Sequence, residues 1–84
     1  MDGTVVLVNQ RKGFFAVEVG AGSGDFTVVE LLDSCEVAVG DIVSGDLHSH
    51  GGEELMNKTQ RQSMSVYIQG IHCAASTARA MVLR

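Results

Sequence analysis

Apolar residues fall in short blocks between polar, glycine-bearing breaks along most of the chain, and their period changes once, after Gly70. The run TVVLVN (4–9) is β-branched and continuous, which predicts a buried strand. QRKG (10–13) is polar and ends in glycine, as a hairpin turn requires. FFAVEV (14–19) reads as a second strand, GAGSG (20–24) as a flexible tip and DFTVVELL (25–32) as a third strand, giving an antiparallel meander. DSCEVAVGD (33–41) is a longer connection. IVSGDLH (42–48) predicts a fourth strand with a bulge or bend at Gly45, SHGG (49–52) a turn, and EELMNKT (53–59) a fifth strand. SMSVYIQ (63–69) alternates, with Met64, Val66 and Ile68 on one face and Ser63, Ser65 and Tyr67 on the other. Beyond Gly70 the apolar residues Ile71, Ala74, Ala75, Ala78 and Val82 recur at helical spacing, and Arg79 and Arg84 suit a helix end. This predicts a helix over 71–83 with Ile71, Ala75, Ala78 and Val82 buried.

The expected fold is mainly β: a small five-stranded Greek-key barrel with an extra strand and a C-terminal helix. Residues 1–62 form the barrel and residues 63–84 a strand-and-helix extension packed on the same single domain.

Composition narrows the function. Ten acidic residues stand against six Lys and Arg, for a formal net charge of −4. Affinity for a phosphate backbone comes from cations that release counterions, so this balance lowers the expectation of nucleic-acid binding without excluding a local basic patch. No apolar run approaches the ~20 residues of a membrane span. The segment MDGTVVLV has no positive head or cleavage site of a signal peptide, so a cytoplasmic protein without membrane contact is expected. Cys35 and Cys73 have no CxxC spacing and read as buried or free thiols.

Few residues carry chemistry. Arg11, Lys12 and Phe14 in VNQRKGFFAVEV form a basic turn beside an aromatic, and Lys58 and Arg61 add charge if the fifth strand lies near. His48 and His50 share one side of an extended segment with Asp46 and Glu53 close by, but a tight metal site wants three or four convergent ligands. No metal and no cofactor is expected. His72 and Cys73 are adjacent and point apart on a helix, so they do not pair as base and nucleophile, with or without Cys35. GAGSG lacks the lysine of a phosphate-binding loop and joins two strands. No enzymatic activity is expected.

The residues GTVVLVN (3–9), KGFFAV (12–17), VGDIVSGDL (39–47) and GEELMNKT (52–59) resemble the cold-shock domain, a small OB-fold, over roughly the first 60 positions. Gly3, Val5, Asn9, Asn57 and Thr59 fall in register with that family. The resemblance implies a nucleic-acid-binding barrel whose first three strands carry base-stacking aromatics. Here those positions hold Leu7, Val8, Ala16, Thr27, Val29 and Glu30, and Phe14 alone retains the aromatic. Each stacked base is worth ~1–3 kcal/mol. Two functions are therefore weighed. One is a protein-interaction module that uses an apolar face of Leu7, Ala16 and Val29 beside Glu30, toward an unknown protein partner or a second copy. The alternative is weak single-stranded RNA or DNA binding through Arg11, Lys12, Phe14, Lys58 and Arg61.

Overall fold

A computed structural model describes residues 1–84. Six strands precede one helix: β1 (Asp2–Asn9), β2 (Phe14–Val19), β3 (Phe26–Leu31), β4 (Ile42–Ser44), β5 (Gly51–Asn57), β6 (Gln62–Cys73) and α1 (Ala75–Leu83). They close in the order β1-β2-β3-β6-β5-β4, with β4 returning to β1, and every pairing is antiparallel. The fold is thus mainly β, a small closed barrel with the added strand and the C-terminal helix. The spatial run β4-β1-β2-β3 is the Greek-key order. The added strand is integral: β6 pairs with both β3 and β5 and makes the barrel six-stranded.

The element bounds depart from the sequence expectation in instructive places. β4 stops at Ser44 because Gly45 takes φ +147°, and an added Cβ there would stand 2.6 Å from Leu55 Cδ2. The chain then turns inward and buries Leu47 completely in the barrel core. β5 begins earlier, at Gly51, and residues 58–59 belong to the following turn. β6 runs past Gly70 to Cys73, so α1 starts at Ala75 rather than at residue 71. The β3–β6 register slips between the pairs Val28↔Gly70 and Phe26↔Cys73, and this irregularity lets the strand continue where the helical period suggested otherwise. Ile71 consequently packs on the barrel core from β6, and Ala75 is exposed; Ala78 and Val82 are the buried helix residues.

Two separate apolar cores result. The barrel interior holds Val5, Phe15, Val17, Val29, Leu55, Met64, Val66 and Ile68 among its eleven buried residues. The second core lies outside the barrel, where Ala16 and Val28 meet Ala78 and Val82, flanked by Leu7, Phe14, Phe26, Cys73 and Met81. An irregularity between Val5 and Leu7 in the β1–β2 ladder sends these residues, two apart and otherwise on one face, to different cores, Val5 to the inner and Leu7 to the outer.

Candidate functional site

β2 and β3 present alternate residues to opposite faces. Phe15, Val17 and Val29 go inward; Phe14, Ala16, Phe26 and Val28 go outward. The outer face of β1-β2-β3 is where the resemblance implies base stacking, and in this chain α1 lies across it. Of the expected interaction face, Leu7 and Ala16 sit beneath the helix and Val29 does not belong to it. Val29 is fully buried inside the barrel, and its neighbour Val28 takes the outward place. Glu30 is outward and half-buried, with its Oε1 accepting a 2.8 Å hydrogen bond from Gln69 Nε2.

The basic turn is engaged with the same helix. Lys12 Nζ donates to the Met81 carbonyl at 3.0 Å and stands 4.3 Å from the centre of the Phe14 ring. Asn9 Nδ2 donates to the Val82 carbonyl at 2.8 Å, and Asn9 Oδ1 accepts from the Lys12 backbone N–H. The last turn of α1 has no basic residue of its own, and its Ala74 N-cap makes no side-chain hydrogen bond. A helix of nine residues is marginal in isolation, so these contacts and the outer core hold it. Lys12 supplies the cation that the carbonyl end of the helix dipole favours.

The five basic and aromatic candidates do not form one patch. Arg11 and Lys12 follow the last residue of β1, whereas Lys58 pairs with Asp2, its first residue, at 3.1 Å. An eight-residue strand separates these ends by on the order of 20 Å. Arg61 is exposed in the β5–β6 turn. Asn57 and Thr59, two positions that carry the resemblance, have structural roles. Asn57 Nδ2 donates to buried Asp41 at 2.9 Å, and Thr59 Oγ1 accepts from the Ile42 N–H at 2.9 Å.

Between the first turns of α1 and the sheet runs an open apolar groove of about 300 Å³, lined by Val6, Leu7, Ala16, Phe26, Ala75 and Ala78. Glu18 and Arg79 stand at its rim. It exists because the helix meets the sheet there with alanines, which fill little space. Phe26 and Val6 are site residues that the sequence reading missed. Their signal was present: the runs VVLV and FFAV, and VV in β3, are apolar at successive positions, as in strands covered on both faces.

A second constellation gathers at the barrel end where β3 begins and β6 finishes. Asp25 Oδ2 is 2.9 Å from His48 Nε2, Asp25 Oδ1 is 3.2 Å from His72 Nδ1, and the two imidazole rings are 4.2 Å apart. His50, Asp46 and Glu53 take no part in it. Each member is held by the fold. The buried Thr27 hydroxyl donates to the Leu47 carbonyl at 2.8 Å and fixes the turn that carries His48. The Val19 N–H donates to the Asp25 carbonyl at 2.8 Å. His72 stands in the β6 irregularity with φ +51°, a left-handed conformation that costs a non-glycine residue about 1–2 kcal/mol.

The thiols carry no sign of activation. The hydrogen bond with Asp33, together with burial, pushes the Cys35 thiol up, and burial with the nearby Asp25 charge pushes up Cys73. Both stay protonated at neutral pH, the reverse of what a nucleophile needs.

No protein-family model, curated protein or solved structure matches the chain.

Proposed function

We propose that this chain is a non-enzymatic binding module, built on an OB-like barrel of cold-shock type, that works by contacting protein. The kinship is supported by the β1-β2-β3 meander, by the β1–β4 pairing that closes the barrel, and by the residues Gly3, Lys12, Gly13 and Phe14 at the family's positions. The observation that carries the functional reading is α1 lying across the outer face of β1-β2-β3. It covers Phe14, engages Lys12 and leaves an apolar groove rimmed by Glu18 and Arg79. A groove apolar at its floor and charged at its edge suits a protein segment better than a phosphate backbone. A cytoplasmic setting belongs to the same proposal and is supported by two unpaired cysteines. No helix is long and apolar enough to cross a membrane.

The test is a photo-crosslinking side chain at Val6, which is 38% exposed at the groove mouth, with the same probe at exposed Glu36 as control. In cells, the Val6 probe should give a discrete protein adduct, to another protein or to a second copy. The Glu36 probe should not, and Ala75→Trp, which fills the groove, should remove the adduct. An adduct to nucleic acid at Val6, or identical adducts from both positions, would count against the proposal.

A further inference from the structure

We propose that Asp25, His48 and His72 form a binding site for a divalent late transition-metal ion, with Zn²⁺ the expected occupant. Two imidazoles and one carboxylate are a donor set for borderline cations such as Zn²⁺; Mg²⁺ and Ca²⁺ prefer oxygen ligands alone.

The geometry is close to what coordination requires. Tetrahedral bonds of about 2.0–2.1 Å set neighbouring ligand atoms about 3.3 Å apart. The Asp25–His distances, one to each carboxylate oxygen, are 2.9 and 3.2 Å, and one ligand atom from each of the three residues lies within 4.8 Å of the other two. The ligand atoms have to draw together by no more than about 1.5 Å, and the His72 side chain is 62% exposed and has room to swing. An ion would replace the two hydrogen bonds to Asp25, and water would fill the open positions.

A surface accident does not explain the arrangement. The three ligands come from the residue before β3, the β4–β5 connection and the end of β6. The turn is pinned through Leu47, which is wholly buried, and its carbonyl bond to Thr27. His72 occupies a left-handed conformation inside an irregular stretch of β6, the kind of feature that re-aims a side chain at a functional site. Its chain neighbour Cys73 lies in the outer core, near Gly70 beneath the helix, and is not a ligand. The site shares no residue with the groove, so the fate of the protein-contact proposal does not decide this one.

The experiment is calorimetric titration of the full chain with ZnCl₂, with imidazole NMR shifts as a second readout. The expected result is one saturable Zn²⁺ per chain, shifts at His48 and His72, and no comparable response to MgCl₂. Asp25→Asn, His48→Ala and His72→Asn should each weaken binding by about tenfold or more, since even the outer partners of metal ligands are worth 10–100-fold. His50→Ala should leave it unchanged. His72→Asn is the decisive variant, because the position is exposed and asparagine tolerates a left-handed backbone, so the fold survives. Absence of saturable Zn²⁺ binding, binding that survives His72→Asn, or equal loss in His50→Ala would overturn the proposal.

Discussion

Lys12 and Phe14 are engaged within the fold. A lysine and an aromatic at the mouth of a hairpin suit a nucleic-acid strand, yet here the ammonium rests over the ring and donates to the Met81 carbonyl. Asn9 completes the arrangement, linking the turn to the Val82 carbonyl. Asn9→Ala should therefore cost about 1–2 kcal/mol, two hydrogen bonds of ordinary worth, and should speed amide exchange in the last turn of α1. Unchanged exchange there would show that the helix is held by apolar contact alone. Asp41 is the other residue with measurable consequences. Burial raises its pKa, but hydrogen bonds from Asn57, the Ala38 N–H and Gln60 outweigh that and leave it below the ordinary aspartate range. A carboxylate depressed in the folded state contributes stability above its unfolded pKa and loses it as pH falls through the folded value. Acid unfolding of the wild type should thus steepen below about pH 4, and Asp41→Ala should flatten that limb. The same variant should lose about 1–3 kcal/mol near neutrality, since it strands the buried Asn57 donor.

At the scale of elements, the change of apolar period after Gly70 did announce a helix, and the β-branched runs did announce strands. What the pattern misplaced was the junction. Ile71 and Ala75 are spaced as in a helix, but the β3 ladder extends to Cys73 through an irregular register that spans Ile71 and His72, and pairing with a neighbouring strand outweighs local spacing. Gly70 is the contact between that strand and the helix. A Cβ added there would lie 3.0 Å from Cys73 Sγ and 3.2 Å from Met81 Cε. Gly70→Ala should push the helix outward and cost about 1–3 kcal/mol of overpacking, toward the low end because the Met81 side chain is flexible. A fully stable Gly70→Ala protein with unchanged Met81 methyl shifts would contradict this packing.

For the whole molecule, the decisive feature is that the three-strand face is covered on both sides. Continuous apolar runs in β1 and β2, and the Val28–Val29 pair in β3, stated this in the sequence, since a face open to water alternates. Which element covers the outer side was not legible. Nothing in the spacing of Ala78 and Val82 names Ala16 and Val28 as their partners, and the Asp25–His48–His72 cluster joins positions distant in sequence through barrel closure alone. Removing residues 75–84 should lower stability by about 3 kcal/mol, largely the burial of Val82 with part of Met81, while leaving the β6 ladder intact. A truncated protein that melts with the full chain would remove the helix from the structural account.

The central claim is that α1 occupies the outer face of β1-β2-β3, which the proposed cold-shock kinship would give to nucleic acid, and fluorescence anisotropy of labelled single-stranded RNA and DNA with the full chain tests it most directly. At about 0.15 M salt, where surface attraction is screened beyond ~8 Å, no binding should be detected up to about 100 µM protein. Micromolar binding under those conditions, abolished by Phe14→Ala, would show that nucleic acid reads this face and would contradict the account.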